Sequence, residues 1–164
     1  MKIQFLGAAG EVTGSRHSIE LILAKRQRRF MVDYGMFQGG REATNKNLEP
    51  LPFSPKDIDF IVLTHAHIDH ILGASFCLHQ FQIPAYLHAA DHPTWESVKS
   101  YAHIYGFENY KEVAIPEFTL EDQQILEFGN LTFKVFHTPG HAPGHVVFYH
   151  DSGFVINGDV LFRG

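Results

Sequence analysis

The chain has 164 residues, of which 45% are hydrophobic, and its net charge is −5 with histidine counted as neutral. This length predicts a single domain over residues 1–164, and the apolar content excludes a disordered protein. The acidic balance argues against broad electrostatic capture of nucleic acid, while the lone Cys77 excludes an intrachain disulfide and suits a cytoplasmic protein without a membrane span.

The first part of the sequence predicts three strands. The apolar segment 2–6 is the first, and segments 18–24 and 29–33 form a hairpin around the polar turn 25–28. The Gly-rich segment 7–14 lacks the GKS or GKT of a phosphate-binding loop, so we interpret it as a tight loop near the site. The densest basic cluster, either a solvated hairpin tip or an RNA contact, is formed by Lys25, Arg26, Arg28 and Arg29.

The middle of the chain predicts a long loop followed by alternating strands and helices. In order, these are a loop over 34–57, a buried strand over 59–64, a helix over about 69–80, a strand over 84–88 and a helix over 90–105 that ends at Gly106. Two hairpins follow, over 125–136 and 145–157. Hairpins in both halves favour a layered α/β (α+β) sandwich over a doubly wound parallel sheet.

One short stretch carries an unusual density of metal-binding side chains. The sequence THAHIDH, from Thr64 to His70, directly follows an apolar run. His65 and His67 are two residues apart on an extended segment, so their rings can point the same way. Asp69 and His70 lie where the chain turns into a helix and can face a second point. Because zinc takes imidazole and carboxylate ligands, this loop can offer two ligands to each of two ions.

Two later clusters complete this pattern. The segment HTPGHAPGH supplies His137, His141 and His145, and its two Pro-Gly pairs predict turns that project His141 from a loop. Asp159 ends an apolar strand, and Asp33 ends an earlier strand in the same manner. Acidic residues at strand ends beside a His-rich loop are what a metal site at one edge of a sandwich requires.

THAHIDH resembles the signature of the metallo-β-lactamase superfamily, and the resemblance covers nearly the whole chain. It implies an αββα sandwich with up to two metal ions, usually zinc, although iron and manganese also suit His and Asp ligands. The resemblance assigns His65, His67 and His141 to the first ion, Asp69 and His70 to the second, and Asp159 to a bridging position. It makes Asp33, Thr64 and His145 supporting residues that do not bind metal.

The resemblance also implies a mechanism. Metal binding lowers the pKa of water from about 15.7 to about 7, which provides a metal-bound hydroxide as the nucleophile of a hydrolase. Asp69 is the expected catalytic residue, because it is placed to orient that hydroxide or to take its proton. Neither a GxSxG sequence nor a Cys-His signature is present, so covalent catalysis is not supported.

The two halves of the sequence resemble different branches of the superfamily. GAAGEVTGSRHSI, DYGMFQGGRE and FSPKDIDFIVLTHAHIDH are similar to the β-CASP group of RNA-processing nucleases. ILGASF, HTPGHAPGHVVFYH and GDVLFRG are similar to glyoxalase II-type thioester hydrolases. The large inserted domain and the third-motif spacing usual in β-CASP proteins are absent from the sequence. A recombined or truncated chain and an unusual natural member are both compatible with this pattern.

Three functions remain open on these grounds. The first is hydrolysis of a small-molecule thioester or ester, and the second is a metal-dependent ribonuclease or phosphodiesterase acting on RNA. The third is a metal-binding scaffold with little or no activity. The sequence ends at Gly164, before the last metal-binding histidine and final strands that the resemblance implies. We therefore expect a C-terminally truncated sandwich, a weaker second metal site and a homodimer formed through an exposed sheet edge.

Overall fold

The computed structural model describes residues 1–23, 26–111 and 114–161, which form two packed sheets with helices against one of them. The strands are β1 Lys2–Phe5, β2 Arg16–Leu23, β3 Arg26–Tyr34, β4 Phe60–Val62, β5 Ala85–His88, β6 Phe118–Leu120, β7 Ile125–Phe128, β8 Leu131–His137, β9 Val146–His150 and β10 Phe154–Ile156. The α-helices are α1 Arg41–Leu48, α2 Ile68–Phe81 and α3 His92–Tyr101. Lys25 of the predicted turn lies outside the described residues.

The larger sheet is mixed and has the strand order β1-β2-β3-β4-β5-β6. Strands β1 to β3 pair antiparallel, and β3 to β6 pair parallel. Strand β4 is a continuous apolar run because parallel central strands are covered on both faces. Since β3 and β4 run in the same direction, their carboxyl ends meet at one edge of the sheet. This brings Asp33, near the end of β3, next to Thr64, just after β4.

Two apolar cores hold the layers together. On one face of the large sheet, Ile61 and Leu63 pack with Ile71 of α2 and Trp95 of α3. On the other face, side chains of both sheets interdigitate, and the ring of Phe30 stands edge-on to rings of β7 and β8 at centroid distances of 4.7 and 5.8 Å. The described residues therefore form three layers in the order helices, sheet, sheet.

The second sheet is antiparallel, with the order β10-β9-β8-β7, and contains both predicted hairpins. Side chains on its outward face, such as Ile125 and Val155, are about half exposed. Buried side chains alternate along β8 and β9 with more exposed ones, as expected for strands that are covered on one face. The predicted helix end at Gly106 is also confirmed, because a short 3-10 turn continues α3 to Tyr105 and Gly106 adopts a φ of 87°.

Some local predictions were wrong. The loop predicted over 34–57 contains α1 and a 3-10 turn at Pro55–Asp57, and α1 has no buried residue that would create an apolar period. Strand β3 begins at Arg26, so most of the predicted turn belongs to a strand. Arg29 is not at a solvated tip, because it is only 7% exposed and pairs with Glu20 at 2.6 Å. None of the described helices has the length and apolarity needed to cross a membrane.

Candidate metal centre

Asp33 anchors the edge of the large sheet at which the predicted ligands converge. It is fully buried, and its carboxylate accepts hydrogen bonds from the Ser15 hydroxyl at 2.9 Å and the Thr64 backbone N–H at 2.8 Å. The Thr64 hydroxyl and Nδ1 of His70 each lie 2.8 Å from the same carboxylate. Burial opposes ionisation of Asp33, but His70 and the Thr64 hydrogen bonds hold its pKa below the ordinary value. The site is therefore built on a buried anion.

Three histidine rings meet directly beyond this anchor. Nε2 of His65 lies 3.1 Å from Nδ1 of His67, and that Nδ1 lies 2.9 Å from Nε2 of His141. His65 is fully buried, His67 is half-buried and the His141 side chain is 36% exposed. Three ring nitrogens this close cannot all carry protons, but a cation between them satisfies all three lone pairs. This donor set fits one metal ion with an open side toward solvent.

A second donor set lies beside the first and shares His65 with it. Donor atoms of His65, His70 and Asp159 all lie within 4.8 Å of one another. Nε2 of His70 is buried without a hydrogen bond among the described residues, although Oδ1 of Asp159 is only 3.3 Å away. The other oxygen of Asp159 lies 3.4 Å from Nε2 of His141. The carboxylate of Asp159 thus lies beside both donor sets.

The neighbours of each ring decide its affinity for protons. Burial, followed by the adjacent rings of His70 and His67, moves the pKa of His65 far below its ordinary value. Burial alone would also lower the pKa of His70, but the nearby carboxylates, first of all Asp33, raise it to about 10. Metal-free His65 is therefore neutral, whereas metal-free His70 carries a proton at neutral pH.

Asp69 lies at the margin of this arrangement. Its Oδ2 is 4.0 Å from Nε2 of His70, and it belongs to neither of the compact donor sets found among the described residues. Burial raises the pKa of Asp69 above its ordinary value, while the charge of His70 opposes that shift. The backbone carbonyl of Asp69 accepts the Ser15 N–H at 3.1 Å, and a Cβ on Gly35 would overlap that carbonyl. Gly35 therefore allows β3 to approach the first turn of α2.

His145 lies next to the ligands with both of its ring nitrogens occupied. Nε2 accepts the Asp159 backbone N–H at 3.0 Å, and Nδ1 lies 3.0 Å from the Thr138 hydroxyl. Burial lowers the pKa of His145 to about 4. These contacts suit a residue that orients Asp159. His137, from the same motif, is not brought into either donor set, because its Nε2 bonds to the Pro143 carbonyl oxygen at 2.9 Å.

Sequence reasoning missed Asp91, which is fully buried beside the two histidine loops. Asp91 precedes α3, where an acidic residue ordinarily caps the helix. It makes no such cap, and its carboxylate accepts the backbone N–H groups of Ala66 and Gly144 instead. Only the tertiary structure reveals this role, because the local sequence around Asp91 is that of a helix start.

Comparisons with curated proteins return two kinds of relative. Ribonuclease TTHA0252 of Thermus thermophilus is 49% identical over 71 residues, which is 43% of this chain and 15% of that protein. Hydroxyacylglutathione hydrolase GloC of Haemophilus influenzae is 28% identical over 155 residues, which is 93% of this chain and 70% of that protein. Probable metallo-hydrolase YqgX of Bacillus subtilis is 36% identical over 108 residues, and the chain spans 50% of its length.

Solved structures show the same fold. The crystal structure of TTHA1623 in a di-iron-bound form matches with a TM-score of 0.64 and 27% identity, covering 100% of this chain and 74% of that one. The crystal structure of the BLEG-1 B3 metallo-beta-lactamase matches with a TM-score of 0.62 and 27% identity, covering 99% and 74%. The family description that matches residues 18–164 agrees with the motif, the layers and the convergent ligands. The chain belongs to the metallo-beta-lactamase superfamily.

Proposed function

We propose that this chain is a metal-dependent hydrolase that acts on a small thioester or ester. The observation that carries the proposal is the convergence of two donor sets, joined by His65 and Asp159, at one edge of the sandwich. The relative from Haemophilus influenzae, which aligns with 93% of this chain, is named a hydroxyacylglutathione hydrolase. Its similarity supports the substrate class, since this relative aligns over far more of the chain than the ribonuclease does.

The proposed ligands combine the two donor sets with Asp69, which the THAHIDH motif adds. His65, His67 and His141 would hold one ion, and His70, Asp69 and Asp159 would hold the other, with Asp159 shared. Zinc is the expected metal, and iron or manganese also suits these ligands. At these ligands a bound metal would supply a lowered pKa for water and polarisation of a substrate oxygen. Asp33 holds both ends of the THAHIDH segment in place, because its carboxylate contacts the Thr64 N–H and Nδ1 of His70.

Asp69 is the proposed proton acceptor. Burial raises its pKa, which makes it a stronger base than an ordinary aspartate. Its position at the first turn of α2 is held by the hydrogen bond from the Ser15 N–H to its carbonyl oxygen. The carboxylate can therefore orient a water molecule and accept its proton, while the ligand rings stay in place.

A paired assay tests the proposal. Purified protein is loaded with zinc, its metal content is measured by elemental analysis, and the hydrolysis of an S-acylglutathione thioester is compared with that of bis-nitrophenyl phosphate. We expect bound metal and faster thioester turnover, with both lost on chelation. His103→Ala serves as the matched control, because His103 is an exposed histidine outside both donor sets. Bound metal with no turnover of either substrate would contradict the hydrolase and favour a metal-binding scaffold.

A ribonuclease is the second candidate, favoured by the 49% identity to Ribonuclease TTHA0252 over 71 residues. The basic cluster supports it less than the sequence suggested. Arg28 pairs with Asp59 at 2.8 Å, and buried Arg29 pairs with Glu20, so both cations already have an acidic partner. Faster cleavage of the phosphodiester or of an RNA oligonucleotide than of the thioester would decide for this alternative.

Two expectations about the protein's surroundings remain proposals. β10 lies at an edge of the second sheet, and Val155 on that strand is 48% exposed, so we propose a homodimer that pairs these edges. Sedimentation equilibrium tests it, and a monomer at all concentrations would contradict it.

Cys77 is buried and unpaired, which suits the reducing cytoplasm that we propose as the location.

A further inference from the structure

One buried carboxylate connects the two loops that carry the histidines. Asp91 is fully buried, and its Oδ2 accepts the backbone N–H of Ala66 at 2.9 Å. Its Oδ1 accepts the backbone N–H of Gly144 at 2.6 Å. Hydrogen bonds to a carboxylate are shorter and roughly twice as strong as those between neutral groups. The two loops are thus joined through a side chain that belongs to neither of them.

The first contact falls within the HxH pair. Ala66 lies between His65 and His67, and its own side chain is buried. Fixing the Ala66 N–H fixes the peptide plane between the two ligands. On an extended segment this sets the direction of both neighbouring side chains. Asp91 therefore acts on the HxH pair through the backbone, without touching either ring.

The second contact falls within the later loop. Gly144 lies between His141 and His145, and a Cβ at this position would come within 2.7 Å of the Asp91 backbone nitrogen and 2.8 Å of its Cβ. Glycine is therefore what lets the loop reach the carboxylate. The same loop is also tied to Thr64, whose carbonyl oxygen accepts the Val146 N–H at 2.8 Å. Asp91 and Thr64 thus each link the later loop to the segment that carries the HxH pair.

We propose that Asp91 is a positioning residue of the metal centre, which sets the distance between the HxH pair and His141. This inference rests on the proposed function, since it assigns Asp91 to the same metal site. The geometry it explains is the approach of His67 Nδ1 to His141 Nε2 at 2.9 Å, across 74 positions of sequence. Loss of either link lets one loop move relative to the other and separates the ligands of one ion.

The substitution Asp91→Asn isolates this role. Asparagine has nearly the same volume but keeps only one oxygen acceptor, so its amide group must face a backbone N–H donor. Asp91→Ala removes both acceptors. The matched control is Asp59→Asn, because Asp59 also accepts a backbone N–H, that of Arg29 at 2.8 Å. Asp59 lies before β4, at the end of that strand opposite the histidines.

The experiment measures metal affinity and site geometry instead of turnover alone. Cobalt(II) is titrated against a chromophoric chelator, and its visible absorption reports the coordination geometry. We expect Asp91→Asn to weaken binding by about tenfold or more, Asp91→Ala to weaken it further, and both to alter the spectrum. Asp59→Asn should match the wild type. If Asp91→Asn loses stability in urea but keeps wild-type affinity and spectrum, Asp91 is only structural and the proposal is overturned.

A second readout keeps this inference separate from the proposed function. If the wild type takes up no metal, the hydrolase proposal fails, but the position of the loops can still be followed by NMR in the metal-free protein. We then expect Asp91→Asn to expose the Ala66 and Gly144 amides to exchange and to weaken contacts between the rings of His67 and His141. Unchanged ring contacts in that variant would overturn the role of Asp91.

Discussion

The two donor sets share His65, yet their other histidines are held in opposite ways. His67 and His141 face each other near the surface, whereas His70 is 1% exposed and lies 2.8 Å from the Asp33 carboxylate. Burial and the ring of His141 lower the pKa of His67, while carboxylates raise that of His70 to about 10. At neutral pH His67 is thus a free base, whereas His70 carries a proton.

This difference has a consequence for metal binding. Ligand histidines must be deprotonated before they bind a metal. In the surface set, formed by His65, His67 and His141, the lowered pKa values of His65 and His67 leave these two rings deprotonated at neutral pH, so they can bind an ion without releasing protons. The buried set, formed by His65, His70 and Asp159, has to release the proton of His70, whose charge stabilises Asp33 in the metal-free protein. We therefore expect the surface set to bind metal at lower pH than the buried set.

The largest effect is expected when a ring is removed from the surface set. His141→Ala deletes one of three converging donors and opens the site, so thioester hydrolysis should fall by more than about 100-fold, because even residues around the ligands contribute about 10–100-fold. Elemental analysis should show one ion lost per chain. Wild-type turnover in this variant would mean that the buried set alone supports catalysis, which contradicts the larger effect expected for the surface set.

The next effect concerns the anchor of the buried set. Asp33→Asn keeps the volume and tolerates the left-handed backbone of this residue, whose φ is 56°. It removes the carboxylate nearest to His70, and breaking a buried ion pair costs about 3–5 kcal/mol, which we expect in urea unfolding. Asp59→Asn, at the partly exposed pair with Arg28, should cost about 1 kcal/mol or less. Equal losses of unfolding free energy in both variants would show that the buried pair contributes no more to stability than the partly exposed one.

A smaller effect is expected from backbone crowding between β3 and α2. A Cβ on Gly35 would overlap the Asp69 carbonyl, so Gly35→Ala must shift the first turn of α2, which carries Asp69 and His70. Overpacking of this kind costs about 1–3 kcal/mol. Gly40→Ala is the control, since a Cβ there meets nothing within 4 Å. We expect Gly35→Ala to reduce binding of the second ion more than of the first, and equal reduction would contradict a local shift.

The sequence predicted which side chains converge better than it predicted the details around them. His65, His67 and His70 lie together because they follow β4 within one short segment, and the segments after β8 and β10 bring His141 and Asp159 beside them. The periods of apolar residues also located both core helices and both hairpins. These features depend on local spacing and on strand direction, which a single sequence records.

What the sequence did not predict depends on long-range contacts. Helix α1 buries no residue, so it has no apolar period to recognise. Asp91 looked like the start of a helix, because nothing near it in sequence indicates that its carboxylate accepts amides 25 and 53 positions away. Arg29 looked solvated, since its partner Glu20 lies on the neighbouring strand. The Asp69 carboxylate lies 4.0 Å from His70 Nε2 and outside both donor sets, and sequence spacing does not predict distances of this precision.

The last effect is a pH dependence of stability in the metal-free protein. The pKa of His145 is lowered to about 4 in the folded state and is near 6.5 in an unfolded chain. Unfolding therefore takes up a proton between these values, so the stability contributed by this group is complete above about pH 6.5 and is lost as pH falls. His70 behaves oppositely, since its raised pKa contributes stability that is complete below about pH 6.5 and is lost as pH rises toward about 10.

Urea unfolding of chelator-treated protein at about pH 5, 7 and 9 should thus show a maximum near neutrality, with an acid limb and an alkaline limb. The alkaline limb belongs to the buried set, so His70→Gln should remove it and leave the acid limb. Added zinc should remove it as well, because a metal-bound His70 has no proton left to lose. If the alkaline limb persists in His70→Gln, the proton lost at high pH is bound to another group. The two donor sets then do not differ in the protonation of His67 and His70 in the way that the neighbouring groups indicate.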